Sequence, residues 1–394
     1  MISLGKSKKE WNIIKKVLRE ELKGQNRYFK LKGIYMSRKK IEIKSKTKTS
    51  KGEYNKAEVL GVLNFVKIGV EQRGSLTEEF SHLFFDGEFV FSFNDKMCVL
   101  CPLAFPINGS IVADKFVNLL SKVEQETFNV AVSEGEIVVE AGLFSFGLAY
   151  VPPGEYHNVV KEIGVVNIKE WKEMSQELRD VIVHSSYCSS RDITRPDLLS
   201  VFVSGKDVLA TDRFRVNWFE LSKPIEGELV VPVSVGSQLN NYNVTHYHVD
   251  ANWVHFKGED FYISCRLVGA KFPEKQCKEF FETVIGDTFE LPGELSKVVQ
   301  RAMIIESDVI DLDKKVTVKI EEDRIVCRSV SEGVGWFNEV VLLNKKISEK
   351  EQISFVINPV FFVEVLRRTN KISFVGENAF LFVGDNFRHI MSAV

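Results

Sequence analysis

Hydrophobic and polar positions along the chain follow a pattern that recurs three times. Each copy contains a run of β-branched and other apolar residues, typical of a strand, that leads directly into an apolar helical segment. These strand-to-helix junctions lie at residues 111–116, 230–235 and 355–360, so their starts are 119 and 125 residues apart. A recurrence of this kind predicts tandem copies of one folding unit.

Short alternating segments follow each junction and predict strands. They lie at 128–132, 136–140 and 143–150, at 244–249, 253–257 and 260–268, and at 371–375, 379–383 and 387–392. The junctions continue into helices at 117–123, 236–242 and 361–369, and an earlier helix is predicted in each copy at 56–70, 169–185 and 293–305. Antiparallel strands with two helices indicate an α+β layer architecture. We therefore predict three tandem domains, 51–163, 164–282 and 283–394, each large enough for its own core.

Composition indicates a folded chain without a membrane span. The 394 residues are 44% hydrophobic and 27% charged, which excludes wholesale disorder. There is no run of about 18 apolar residues, and the first ten residues are not followed by the apolar stretch of a secretory signal. Six cysteines in a chain of this length do not predict a disulfide framework. The expected setting is therefore reducing and cytoplasmic.

A basic arm, residues 1–50, precedes the body of the chain. The arm has 16 Lys and Arg against four acidic residues, while the whole chain has a net charge of −2, so the body carries −14. Within the arm, the pattern predicts a helix at 8–22 and short strands at 28–35 and 41–47. Two interpretations stay open, since such an arm can bind a polyanion or remain a solvated, poorly ordered tail.

The predicted helices also carry basic residues. If the helices of all copies lie on one side of a continuous sheet, these cations form one extended surface that could contact phosphates without reading sequence. Acidic residues lie among them, and each cation taken alone is better explained as part of a solvated helix face. The cations are Lys56, Lys67, Lys115, Lys122, Lys172, Arg179, Lys297, Arg301, Arg367 and Arg368.

Four stretches of the chain resemble one known family. Residues 208–216 are similar to the ATDGHRL strand and turn, and residues 265–274 to the KLVDGRFPDY segment, of the bacterial-type DNA sliding clamp, the DNA polymerase III beta subunit family. Residues 112–153 resemble the end of the family's first domain, and residues 387–394 its YVVMPMRL ending. The resemblance covers about residues 51–394. The arm has no counterpart, and Arg213 and Phe214 replace a Gly-His pair; a divergent clamp, such as a phage encodes, fits these departures.

The resemblance implies a processivity factor rather than an enzyme, with no cofactor and no metal. Two three-domain chains would join head to tail as a homodimer, forming a ring that encircles double-stranded DNA without sequence specificity. A groove between the second and third domains would bind short peptide motifs of the DNA polymerase and the clamp loader. By resemblance, the groove comprises Leu198, Thr211, Arg213, Phe214, Arg215, Val216, Pro273, Ala379, Met391 and Ser392.

Further residues are implied in DNA binding and dimer contact. Arg73 lies in a loop that resembles a DNA-contacting loop of the family, and Arg191 and Arg195 lie in a comparable loop of the second domain. The dimer would bring Phe146 and Leu148 of one chain against Ile304 and Ile305 of the other, although these four could equally be ordinary core residues. Because the Gly-His pair is replaced, we expect the groove to prefer a different peptide motif.

Other motifs in the sequence are weaker. Cys98 and Cys101 form a CxxC without a second pair, and His246 and His248 share a strand face without a third ligand, so neither predicts a metal site. The aspartates at 308, 311 and 313 lack the glycine and closing glutamate of a calcium loop. Two alternative functions stay open: a nucleic-acid enzyme that uses the basic arm, and a clamp-like scaffold for transcription or repair proteins that does not close on DNA.

Overall fold

The computed structural model describes residues 53–71, 77–133, 135–267, 269–282, 288–306, 309–343, 346–347, 352–375 and 379–394. The basic arm, with its predicted helix and strands, and Arg73 lie outside the described residues. The chain divides into two compact units, the first ending at Val159 and the second running from Val160 to Val394, together with Asp95–Cys98. No helix in the described part of the chain has the length and apolar character that crossing a membrane requires.

In its described residues, the first unit combines two α-helices with eight strands. Strands β1, β6, β7 and β8 form an antiparallel sheet in that order, and β5, β2, β3 and β4 adjoin one another in a second sheet. The elements are β1 (Glu53–Asn55), α1 (Lys56–Val66), β2 (His82–Asp86), β3 (Phe89–Phe93), β4 (Met97–Pro102), β5 (Asn108–Val112), α2 (Ala113–Ser121), β6 (Thr127–Ser133), β7 (Glu136–Ala141) and β8 (Phe144–Ala149).

The second unit contains one element order twice, with an additional helix at the start and at the end of its first half. Its first half comprises α3 (Val159–Ile163), β9 (Lys172–Glu173), α4 (Gln176–Ser185), β10 (Ser200–Ser204), β11 (Asp207–Thr211), β12 (Arg215–Glu220), β13 (Glu228–Pro232), α5 (Val233–Gly236), β14 (His246–Val249), β15 (Trp253–Lys257), β16 (Tyr262–Arg266) and α6 (Glu274–Glu282). Its second half comprises β17 (Phe289–Glu290), α7 (Leu295–Ala302), β18 (Val316–Ile320), β19 (Arg324–Ser331), β20 (Gly335–Leu342), β21 (Ile353–Ile357), α8 (Pro359–Leu366), β22 (Lys371–Val375), β23 (Ala379–Val383) and β24 (Phe387–Ser392).

A continuous eight-stranded sheet joins the two halves of the second unit. Its strand order is β13-β10-β11-β12-β24-β23-β22-β17, and the joint is the antiparallel pair of β12 with β24. The register pairs Arg215 with Met391 and Val216 with Ile390. Two four-stranded arrangements complete the unit, with orders β16-β15-β14-β9 and β20-β19-β18-β21.

The predicted recurrence of a strand that runs directly into a helix is confirmed. Helices α2, α5 and α8 begin directly or one residue after strands β5, β13 and β21. Several strand bounds agree residue for residue, among them Trp253–Lys257 and Lys371–Val375. The mixed helix and antiparallel-sheet architecture is also as predicted, with three helix pairs (α1 and α2, α4 and α5, α7 and α8) at corresponding places in the element order.

Some predicted elements are wrong in extent. The helix predicted at 169–185 begins only at Gln176, because the Ser175 side chain accepts a hydrogen bond from the Leu178 N–H and starts the helix there. The residues before it include strand β9. The helix predicted at 236–242 is a single turn, Val233–Gly236, that starts earlier. Helix α6 was not predicted, since its buried side is narrow: only Cys277 and Phe281 are buried.

Phenylalanine side chains form much of both cores. In the first unit, Phe116 of α2 has its ring centroid 6.3 Å from that of Phe85 and 6.0 Å from that of Phe105. In the second unit, the Phe355 and Phe380 centroids are 4.4 Å apart. Such large side chains in tilted and edge-to-face contacts bury much apolar area per residue, which suits a chain with 30 Phe.

Asn358 attaches the N-terminus of α8 to a neighbouring loop. Its Oδ1 accepts hydrogen bonds from the N–H groups of Val360 (3.0 Å) and Phe361 (3.2 Å). Its Nδ2 donates to the carbonyl oxygens of Asp311 (2.8 Å) and Leu312 (3.2 Å). The side chain is 2% exposed, so replacing it would leave buried backbone groups without partners.

We expect Asn358→Ala to lower the free energy of unfolding by about 3 kcal/mol. The substitution removes a helix cap and leaves buried backbone N–H and carbonyl groups without hydrogen-bond partners. Ser175→Ala removes an exposed cap in the same unit and should lower it by about 1 kcal/mol. Urea denaturation followed by circular dichroism measures both variants. Equal losses in the two variants would contradict the role given to the four bonds of Asn358.

Candidate functional site

A groove lies over the joint between β12 and β24, within the second unit. Its cavity has a volume of about 380 Å³. The lining residues come from four places: the segment before β10, the turn from β11 to β12, helix α6 with the residue before it, and strands β23 and β24. They are Arg195, Leu198, Thr211, Arg213, Phe214, Arg215, Val216, Pro273, Gln276, Cys277, Phe280, Ala379, Ile390 and Ser392.

The floor of the groove is a buried apolar cluster. Val216 and Ile390 face each other across the β12–β24 joint and belong to this cluster with Cys277 and Phe281 of α6. The Phe202 and Phe272 rings stack in it with centroids 5.2 Å apart. The sheet therefore provides the base of the groove and α6 provides one wall.

The structure brings nine of the ten groove residues predicted from resemblance into this one lining. Met391 is the exception: it is 1% exposed and does not line the cavity, whereas its neighbour Ile390 does. The reason is the alternation of a strand, in which successive side chains point to opposite faces. Of the two β24 residues predicted for the groove, Ser392 lines this cavity and Met391 does not.

Sequence reasoning missed part of the lining. Gln276, Cys277 and Phe280 all lie on α6, a helix that was not predicted. The apolar spacing of Cys277, Phe280 and Phe281 was a weak helical signal that could have found it. Burial raises the pKa of Cys277 to about 12, so its thiol stays protonated and unreactive at neutral pH.

One of the lining residues is a buried arginine. Arg215 is 6% exposed, and its guanidinium donates to Asp212 Oδ2 (2.9 Å), to Glu364 Oε2 (2.8 Å) and to the Tyr187 carbonyl (2.6 Å). The guanidinium also lies 3.7 Å from the Phe361 ring centroid. One side chain thus ties strand β12 to helix α8 and to the end of α4.

His389 and Tyr187 complete this cluster. The His389 side chain is fully buried, with Nδ1 3.0 Å from the Tyr187 hydroxyl oxygen. Burial, followed by the positive charges of Arg215 and Arg368, holds the pKa of His389 well below its usual value. Burial raises the pKa of Tyr187. Both groups are therefore neutral, and the charge of the cluster resides in the arginines and their carboxylate partners.

The cations of the predicted basic surface differ in whether they bond to other groups of the protein. Lys115, Lys122, Arg191, Lys297 and Arg367 are exposed. Three others form ion pairs: Lys67 with Asp114 (2.5 Å), Arg195 with Asp197 (2.9 Å) and Arg301 with Glu339. Three more donate hydrogen bonds to backbone carbonyls: Lys56 to Val123 (2.6 Å), Lys172 to Glu226 (2.8 Å) and Arg368 to His184 (3.4 Å).

Two cations do not lie where the sequence placed them. Arg179 is 8% exposed rather than on an open helix face, because it donates hydrogen bonds to the Val244 carbonyl and to Asn243 Oδ1. Lys172 is exposed but lies on strand β9, not on a helix. Arg195, predicted to contact DNA, lines the groove.

The residues predicted at a dimer contact lie on two surfaces. Phe146 and Leu148 are half-buried on β8, the end strand of its sheet. Ile304 is 68% exposed and Ile305 half-buried in the turn Met303–Glu306 that follows α7. All four have apolar surface that the described part of the chain leaves uncovered.

The cysteine, histidine and aspartate motifs of the sequence do not form a metal site in the described residues. Cys98 and Cys101 are buried free thiols on β4, and burial raises the pKa of Cys98 to about 12. His248 lies with Nδ1 2.8 Å from the Glu170 carbonyl. Within the described residues, no three His, Cys, Asp or Glu side chains are grouped to hold a metal ion; residue 308 lies outside them.

Arg215→Ala should lower the free energy of unfolding by about 4 kcal/mol, because it leaves two carboxylates without their buried counter-charge. Arg215→Lys should recover little of this loss, since an ammonium cannot reproduce the fork of bonds. The control Arg324→Ala removes ion pairs of a side chain that is 49% exposed, and should lose less than about 1 kcal/mol. Guanidinium denaturation measures all three, and similar losses for Arg215→Ala and Arg324→Ala would contradict this account.

Comparisons with known proteins bear on the fold. No protein-family model matches the sequence, nor does the sequence of any curated protein. The DNA polymerase III beta chain of Streptococcus pneumoniae TIGR4 is similar in structure, with a TM-score of 0.70 and 18% identity over 87% of this chain and 98% of that chain. The DNA polymerase sliding clamp of Bacillus subtilis matches over 87% of this chain and 98% of its own, with a TM-score of 0.68 and 15% identity.

A third similar structure contains a ligand. The Helicobacter pylori beta clamp bound to a DNA ligase peptide matches with a TM-score of 0.66 and 13% identity, over 87% of this chain and 99% of that chain. The matches run nearly end to end along all three clamps. The chain therefore has the fold of the DNA polymerase III beta subunit, the sliding clamp.

Proposed function

We propose that this protein is a DNA sliding clamp, a processivity factor that encircles duplex DNA and tethers replication proteins. The observation that carries the proposal is the extent of the fold match, which covers 98% of the Streptococcus pneumoniae chain, so no large part of a clamp is missing. The chain would comprise three clamp domains, 51–163, 164–282 and 283–394, preceded by the basic arm. Its free cysteines suit a reducing, cytoplasmic setting.

Two copies would close the ring head to tail. In this proposal the half-buried Phe146 and Leu148 of one chain cover Ile304 and Ile305 of the other, and a two-fold axis makes this contact occur twice. Among the described residues β8 has a neighbouring strand on one side only, which supports the idea, because an edge strand offers backbone donors and acceptors to another strand. Burial of exposed apolar side chains such as Ile304 supplies the driving force.

DNA would be held by topology and by diffuse charge. Exposed cations such as Lys122 and Lys297 are available for phosphate contacts, which carry no sequence information and weaken with salt. The excess of 12 positive charges in the basic arm adds a polyanion-binding segment. A ring needs no grip on any base, so it can remain bound and still slide.

The groove would dock short peptides from the polymerase and the clamp loader. Its apolar floor with a few polar groups at the rim suits an apolar anchor side chain. The Helicobacter pylori clamp bound to a DNA ligase peptide is a precedent within the same fold. The proposed role of the groove is binding, and Cys277 in its lining would not act as a nucleophile, because burial raises its pKa to about 12.

Ring closure predicts retention that depends on DNA topology. The protein assembled on nicked circular DNA should stay bound, and linearising the circle should release it.

Ile304→Glu should convert the dimer to monomers and abolish retention, because it places a charge in an apolar contact. The control Ile310→Glu alters an isoleucine that is 72% exposed and outside the proposed contact, and should change neither property. Gel filtration with light scattering gives the oligomeric state. A wild-type monomer at micromolar concentration would favour a scaffold that does not close on DNA.

Peptide docking predicts a role for Phe214, which lines the groove and is 47% exposed. Phe214→Ala should weaken binding of the cognate polymerase tail by about tenfold, as loss of an aromatic contact commonly does, without opening the ring. The control Trp336→Ala removes an aromatic side chain that is 70% exposed outside the groove. Fluorescence anisotropy of a labelled tail measures the affinity, and an unchanged value for Phe214→Ala would argue against this groove as the docking site.

A further inference from the structure

Helix α6 forms one wall of the groove, although few of its own residues are buried. It spans Glu274–Glu282, and only Cys277 and Phe281 are buried. Gln276, Cys277 and Phe280 line the cavity, and the Phe280 side chain is 56% exposed. A helix this short is not stable alone in water. Its position as a wall therefore depends on the contacts that attach it to the sheet.

Lys278 makes a polar attachment of this helix to the sheet. Its Nζ donates to Asp207 Oδ2 at 2.6 Å and to Glu274 Oε1 at 2.7 Å. Glu274 lies one turn back on the same helix, whereas Asp207 is the first residue of strand β11. The three side chains are between 25% and 32% exposed, so solvent screens these pairs less than pairs on an open surface.

Trp218 on β12 holds the other side of the same carboxylate. Its Nε1 donates to Asp207 Oδ1 at 2.8 Å, so Asp207 accepts one bond from β12 and one from α6. The rings of Trp218 and Phe281 meet edge to face, with centroids 5.5 Å apart. Asp207 and Trp218 thus present a polar and an aromatic contact to the helix at one place on the sheet.

The attachment and the groove lie on opposite flanks of α6. At about 100° per residue, Cys277 and Phe281 define the buried side of the helix, with Lys278 on one flank and Phe280 on the other. Lys278 is not among the lining residues. Because a helix turns as a unit, a bond that fixes one flank limits how far the other can roll away from the cavity.

We propose that Lys278 is a positioning residue of the groove. Through Asp207 it holds α6 in the orientation in which Phe280 lines the cavity, and so raises the affinity for a docked peptide that Lys278 does not touch. This inference rests on the proposed peptide-docking function, and it concerns how the wall of the site is held, whichever peptide the site accepts.

The test measures binding of the fluorescein-labelled tail of the cognate polymerase to the full-length protein by anisotropy. Lys278→Met keeps the length of the side chain but has no donor, and should weaken binding by about fivefold, because the wall is no longer pre-organised. Lys278→Arg keeps a cation with several donors and should stay within about twofold of wild type. The control Lys275→Met removes a cation of the same helix that is 88% exposed, and should leave the affinity unchanged.

A second substitution releases the same attachment from the strand side. Asp207→Asn keeps an oxygen that can accept from the Trp218 indole but removes the charge that holds Lys278, so it should weaken binding by a similar factor of about five. Thermal unfolding of each variant shows whether it is folded at the temperature of the titration. Two variants on different elements keep the test decisive if one of them does not fold.

A double-mutant cycle asks whether Lys278 acts through Phe280. In the Phe280→Ala background the ring that Lys278 positions is gone, so adding Lys278→Met should weaken binding by less than about twofold further. Independent effects would instead multiply, and the full loss would recur. This readout separates positioning of the wall from a general loss of stability, which Phe280→Ala would not mask.

The outcomes distinguish this inference from the docking proposal. Unchanged affinity in folded Lys278→Met or folded Asp207→Asn, or a full loss that recurs in the Phe280→Ala background, would overturn the role of Lys278 and leave peptide docking intact. Failure of the tail to bind the wild-type protein at millimolar concentration would overturn the docking groove, and this inference with it.

Discussion

The groove depends on one buried charge cluster. Arg215 lies at the start of β12, and its guanidinium connects Asp212 in the preceding turn, Tyr187 after α4 and Glu364 on α8. A buried ion pair contributes little net stability over an apolar packing, but removing one partner is strongly destabilising. The cluster therefore fixes how the two halves of the second unit meet, and with it the position of the turn at residues 211–215 that forms the rim of the groove.

The groove follows from this joint and from ordinary strand geometry. Pairing of β12 with β24 makes one sheet of eight strands, and alternation places Val216 and Ile390 on the groove side while Met391 faces away. Helix α6 then packs Cys277 and Phe281 against the same cluster and leaves Phe280 exposed at the cavity. An apolar floor and an aromatic rim thus lie together at one place on the sheet.

Sequence periodicity predicted the recurring elements well, because strands such as Trp253–Lys257 and junctions such as 355–360 carry their own hydrophobic pattern. It predicted side-chain exposure poorly. The helical pattern predicts that Arg179 is exposed to solvent. Its guanidinium instead donates a hydrogen bond to the carbonyl of Val244, 65 residues later in the chain. Helix α6 has too few apolar residues to be recognised alone, and its packing partners lie on β11, β12 and β24. These features depend on tertiary contacts that a local pattern does not contain. The groove residues came from resemblance, which included Met391 although its side chain is buried and only its neighbours Ile390 and Ser392 line the cavity.

The β12–β24 pair also has a consequence for biosynthesis. Ser392 donates its N–H to the Phe214 carbonyl across a separation of 178 residues, so β12 leaves the ribosome long before its partner strand exists. At ordinary elongation rates this interval is roughly 10–35 s. During that time β12 is an open edge that can pair with other nascent chains. Until residues 379–392 have been synthesised, the groove lacks the two strands that carry Ala379, Ile390 and Ser392.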